Sequence, residues 1–171
     1  MKSTFALCAF LAATVSAHMQ MSSPYPIRSP LNPNGDESKK DYSYTSPLDA
    51  SGSNFPCKGY QTDAFVSVAT YTAGSEYGMS LSGSATHGGG SCQLSLSYDG
   101  GETFQAFQSW MGGCPDHGQL TMDFTMPADA PSGQAILAWT WINHSAETSM
   151  RIQARPTNGG TRSCKHDMPW T

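Results

Sequence analysis

Between residues 65 and 143 the chain repeatedly alternates apolar and polar side chains, the period of a β-strand with one buried face. The pattern predicts strands over residues 65–71, over residues 77–84 with Met79 and Leu81 on one face, and over residues 92–98 with Leu94 and Leu96 inward. Leu120, Met122, Phe124 and Met126 alternate in the next strand, and Gln134 to Ile142 is a β-rich apolar run. Asp99-Gly100-Gly101 reads as a hairpin turn, because glycine supplies the positive φ such turns need. Strands at this spacing predict an all-β fold, an immunoglobulin-like or fibronectin-like β-sandwich, with helix limited to short pieces in the early loop.

Residues 20–62 behave differently. Prolines at 24, 26, 30, 33, 47 and 56, with Asn34-Gly35 and Ser51-Gly52 as turn signals, leave no periodic helix or strand there. A loop this long commonly forms a rim or surface around a site.

The chain opens with Lys2, an apolar run from Phe5 through Val15 and small residues at Val15-Ser16-Ala17. That is the pattern of a secretory signal, residues 1–17, cleaved after Ala17, and the run is too short to span a bilayer. The expected organisation is a sandwich domain over residues 18–155 and an atypical polar tail over 156–171, in a secreted, extracellular, monomeric protein. Thirteen acidic against nine basic residues provide no positive field for nucleic acid or an anionic membrane, so an uncharged partner fits better. Cys57, Cys92, Cys114 and Cys164 remain after processing, an even set that allows two disulfides in three connectivities. Asn143-His144-Ser145 is a glycosylation sequon at Asn143.

Processing after Ala17 would place a histidine, His18, at the mature N-terminus. Its amine and imidazole nitrogens can both bind one ion, and a second imidazole would complete three nitrogens in a near-planar T that favours Cu(II) over Zn(II) or Mg(II). His87, followed by Gly88-Gly89-Gly90 at the end of a predicted strand, is the candidate partner. His117, His144 and His166 have no partner at metal-binding spacing. Neither an H-E-x-x-H nor a G-x-S-x-G motif occurs, and nothing marks a carboxylate pair for glycoside hydrolysis. Trp139 and Trp141 alternate within an apolar strand and read as core, whereas Tyr25, among the prolines, is the candidate for stacking on a sugar.

Several segments together carry a family likeness: His18-Met19-Gln20-Met21, Pro24-Tyr25-Pro26, Ser46-Pro47-Leu48-Asp49, Gly52 to Lys58, Ser84 to Gln93, Gly112-Gly113-Cys114-Pro115 and Leu137 to Asn143. In this order they resemble the fungal chitin-active lytic polysaccharide monooxygenases of auxiliary activity family 11. The resemblance implies a sandwich with a flat face carrying one copper ion. His18 would supply its amine and Nδ1, and His87 its Nε2. It also implies an external electron donor, O2 or H2O2 as co-substrate, and oxidative cleavage of β-1,4 bonds in an insoluble polysaccharide, chitin. Ala85 matches the small residue near the distal axial position of the copper. A Cys92–Cys114 disulfide is implied, which leaves Cys57 either for Cys164 or as a free thiol.

The likeness breaks after Asn143. Counting without gaps from Trp141, Ser149 stands where the family pattern has a Glu, Arg151 where it has the axial Tyr, and Ala154 where it has a cysteine. Glu147 and Gln153 are the nearby candidates for a supporting role, and a cation at Arg151 beside a copper would be electrostatically unfavourable. Three readings of the break stand. They are an enzyme with an altered copper sphere, a non-catalytic copper- or chitin-binding protein with a degenerate site, and an erroneous gene model that runs out of frame near Met150.

Overall fold

The inward-facing Met79 and Leu81 lie on one strand and Met122 and Phe124 on the strand paired with it, Met79 opposite Met122, in the computed structural model, which describes residues 19–43, 49, 51–116, 120–143 and 161–163. Seven strands are present among the described residues: β1 (Gln20–Ser23), β2 (Glu76–Ser82), β3 (Gly90–Ser97), β4 (Gln105–Trp110), β5 (Thr121–Thr125), β6 (Ala135–Asn143) and β7 (Thr161–Ser163). One sheet has the order β1-β2-β5, the other β4-β3-β6-β7. All pairings are antiparallel except β6 with β7. Two short 3-10 turns, Glu37–Lys39 and Tyr60–Thr62, lie in the early loop.

The sheets share one core. Met19, Met21, Met79, Leu81, Met122 and Phe124 from the first meet Leu94, Leu137, Trp139 and Trp141 from the second, all buried. Phe107 of β4 and Phe124 of β5 touch edge to face across the sheets, with centroids 6.1 Å apart. Trp139 and Trp141, two residues apart on β6, therefore face the same way and stack at 6.1 Å with planes 16° apart. Both are fully buried, so their reading as core holds.

The other face of β6 is covered too. Ile136 and Ala138 pack with Cys57, Ile27 and Phe104, so part of the proline-rich loop forms an outer layer over the second sheet. Burial on both faces explains why β6 is a continuous apolar run and not an alternating one. Ion pairs between Arg28 and Asp63 at 2.7 Å and between Lys58 and Asp41 at 2.8 Å staple this layer across long sequence gaps. Arg28 also sits over the Tyr60 ring, 4.1 Å from its centroid.

The Asp99-Gly100-Gly101 hairpin forms as expected between β3 and β4. Asp99 accepts from the Thr103 and Glu102 amides and from the Ser97 hydroxyl, while Gly100 and Gly101 take positive φ.

Three expectations need correction. Residues 65–71 join neither sheet; Ala69 and Tyr71 pack toward the core, but Val66 is 68% exposed and the segment carries no strand. Residues 20–62 do contain a strand, β1. Its signal is the pair Met19 and Met21, which alternate with Gln20 and Ser22 just ahead of the prolines. The polar tail, whose side chains show no strand pattern, contributes β7. The outer edge of β6 at Ala135–Leu137 offers unpaired amides and carbonyls, which a backbone can satisfy whatever its side chains.

Candidate functional site

β2 ends at Ser82 and β3 begins at Gly90, so the intervening loop lies at one end of the sandwich. The Gly89 amide donates to the Thr86 carbonyl at 2.8 Å, closing a turn with His87 and Gly88 at its centre. Both central residues have positive φ, 47° and 76°, the requirement of the mirror-image turns that suit antiparallel strands. Glycine takes this conformation freely, but for His87 it costs about 1–2 kcal/mol, so the surroundings must hold it.

They do so from two sides. The indole Nε1 of Trp141 donates to the Gly89 carbonyl at 3.3 Å, and the Trp141 ring lies 5.8 Å from the His87 ring, tilted by 38°. On the other side the Cys114 amide donates to the Gly90 carbonyl at 3.0 Å, and the Gly112 amide to the Ser91 hydroxyl at 3.2 Å. A disulfide joins Cys92 to Cys114, with Cα atoms 5.6 Å apart, and fastens the 111–114 loop to the start of β3. Gly89 and Gly113 come so close that a Cβ on Gly89 would lie 3.1 Å from the Gly113 Cα. His87 thus sits on a strained but heavily braced turn, half-buried, with its Nε2 shielded from solvent.

The neighbouring Ala85 is half-buried and Thr86 is buried. Among the described residues no three His, Cys, Asp or Glu side chains cluster as a metal site, so the described part supplies one imidazole. His18, Glu147, Arg151, Gln153 and Cys164 lie outside the described residues, as do His117, His144 and His166. Asn143 ends β6, opposite Gly90. Cys57 is 1% exposed and disulfide-bonded, which excludes the free-thiol reading; its suggested partner Cys164 lies outside the described residues.

Tyr25 is not brought to this loop by any contact of the described residues. β1 runs away from the His87 end, pairing Gln20 with Ser82 and Ser23 with Ser80, and Tyr25 lies two residues beyond its far end. There it lines a cleft of about 300 Å³ with Ile27, Asn32, Asp63 and Val66. Farther along the same loop, Pro56 and Gln61 pack on Gly101, past the C-terminal end of β3, whereas His87 lies before its N-terminal end.

Two contributors escaped the sequence reading. Trp141 looked like core alone, because nothing in its spacing reveals that its Nε1 reaches a carbonyl 52 residues away. The 111–114 loop matters through its backbone, and Gly112-Gly113 beside Cys114 was the available signal.

No protein-family model matches the chain. It is 54% identical over 153 residues to AA11 family lytic polysaccharide monooxygenase A of Aspergillus fumigatus, an alignment covering 88% of this chain and 69% of that protein. It is 35% identical to AA11 family lytic polysaccharide monooxygenase B of A. fumigatus and 34% identical to an AA11 family lytic polysaccharide monooxygenase of Aspergillus oryzae. Those alignments cover 91% and 92% of this chain but 39% of each relative, so the chain spans well under half their length. With an all-β sandwich and more than half of the aligned residues shared with the first relative, the chain belongs to the AA11 family of lytic polysaccharide monooxygenases.

Proposed function

We propose that this protein is a secreted, copper-dependent monooxygenase that cleaves the β-1,4 bonds of chitin oxidatively, with copper held by His18 and His87. The observation that carries the reading is the braced His87 turn at the end of the sandwich where β1 begins. β1 pairs with β2 so that Gln20 faces Ser82, five residues before His87. Position 18 is two residues upstream of Gln20, so covalent geometry keeps its Cα within about 7 Å of the Gln20 Cα. A terminal amine at that position is therefore within reach of the 83–87 loop.

The donor chemistry fits. An imidazole whose Nε2 is turned away from bulk water, joined by an amine and a second imidazole, is a nitrogen set that copper takes in preference to zinc or magnesium. When bound, the copper would supply one-electron chemistry with O2 or H2O2, using an external electron donor. The chain's own part is to hold His87 in one orientation, through Trp141 and the glycine turn, so that the ligands are arranged before the ion arrives. Cleavage of the signal after Ala17 creates the amine ligand, and the sequon at Asn143 would carry a glycan in the secreted protein. No described helix is long and apolar enough to cross a membrane.

The test is reductant-dependent release of oxidised oligosaccharides from β-chitin by copper-loaded protein beginning at His18. Release that disappears on chelation and in His87→Ala supports the reading. The altered residues at Ser149 and Arg151 favour a second one, a non-catalytic copper- or chitin-binding protein, and copper-loaded protein that binds chitin yet releases nothing would establish it.

A further inference from the structure

Among the described residues, the two loops around His87 carry few exposed side chains. The exposed residues described on the two loops fastened together there, 83–91 and 111–116, are Gly83, Ser84, Gly88, Gly112 and Gly113, with two longer side chains, Met111 and Asp116. Met111 is 83% exposed, the most exposed large apolar side chain among the described residues. An isolated apolar side chain on a protein surface ordinarily needs no explanation. This one is held in a fixed place relative to the site. It lies two residues before Gly113, which touches Gly89, and Gly89 lies two residues after His87. The adjoining Gly112 amide is bonded to Ser91, and the disulfide anchors the loop at Cys114.

We infer that Met111 is an anchoring contact for the polysaccharide surface, seated on the apolar C–H face of a sugar ring beside the copper site. The inference rests on the function proposed above and adds a specificity-determining residue to it. Charge supports an uncharged partner, since Asp116 is the only exposed acidic or basic residue described in the 83–91 and 111–116 loops. Relief supports a flat one, because among the described residues of these loops only Met111 and Asp116 are exposed side chains longer than serine. No exposed aromatic side chain is described on these loops, so the apolar contact that a ring would make falls to the thioether. Methionine suits this role, being unbranched and polarisable, and able to adapt to an irregular surface.

The experiment compares wild-type protein with Met111→Ser and Met111→Leu, all copper-loaded and beginning at His18, in partition onto insoluble β-chitin. Thermal unfolding and copper titration serve as controls, and both should be unchanged because the side chain is exposed. Met111→Ser should bind about fivefold more weakly, the effect of losing one apolar contact, while Met111→Leu stays within about twofold of wild type. Met111→Ser binding as wild type does would overturn the inference while leaving the proposed function intact. Wild-type protein that neither binds nor oxidises chitin would instead overturn the proposed function, and this inference with it.

Discussion

The indole Nε1 of Trp141 donates to the carbonyl of Gly89 at 3.3 Å, joining the buried end of β6 to the turn that displays His87. Trp141 is fully buried, so the bond has no competing water. Trp141→Phe keeps a ring against His87 but leaves that carbonyl without its indole donor. The expected result is a loss of about 2 kcal/mol of stability and about tenfold weaker copper binding, read by chemical denaturation and calorimetric titration. Unchanged copper affinity would show that the bond serves packing alone.

Gly89 and Gly112 both have positive φ, but only Gly89 is crowded. A Cβ on Gly89 would press on the Gly113 backbone, whereas one on Gly112 meets nothing within 4 Å. Gly112→Ala should therefore cost only the backbone strain, about 1 kcal/mol, and Gly89→Ala about twice that or more. Melting temperatures of the two variants provide the comparison.

The Cys92–Cys114 bridge closes a segment of sequence separation 22 that includes the whole of β4. Replacing both cysteines by alanine should destabilise the domain by about 2–4 kcal/mol. Because the Gly90 carbonyl takes its hydrogen bond from the Cys114 amide, the same variant should also bind copper more weakly. A destabilised variant with wild-type copper affinity would separate the two effects.

Hydrogen bonds from the Thr103 side chain and amide, then from Ser97, hold the Asp99 carboxyl well below the usual carboxylate range. A depressed folded value means the unfolded chain binds the proton more readily. The Asp99 contribution is therefore complete above its ordinary value of 3.8 and is lost as pH falls below it toward the folded value. Asp99→Asn should be less stable than wild type at pH 7, and the gap should narrow as the pH drops below about 4. Unfolding curves at pH 7 and pH 3 measure it.

Much of this fold is legible in the sequence wherever one face alone is buried. Met122 and Phe124 alternate with polar residues because β5 has one face on the core, and the Asp99 hairpin follows from local glycine chemistry. The pattern failed where tertiary context decided. Residues 65–71 alternate yet form no strand of either sheet, and β1 was hidden because its Met19 and Met21 precede a run of prolines. β7 is held by the open edge of β6, which no side chain in the tail announces. In the candidate site, the tight turn at His87 was legible from its glycines, but its restraint by Trp141 depends on two strands meeting in space. The place of Tyr25 in the fold was also not legible. Its residue type suggested a sugar contact, but its sequence did not reveal that the direction of β1 places it in the cleft beside Asp63 and Val66.

The proposed copper site of His18 and His87 is tested most directly by copper titration of protein beginning at His18 against the same protein with one extra residue before it. Tight binding of one copper ion, with a nitrogen-rich electron paramagnetic resonance spectrum, is predicted for the first, and its loss in the extended form and in His87→Ala. Equally tight binding by the extended form would contradict the claim that processing after Ala17 makes the site.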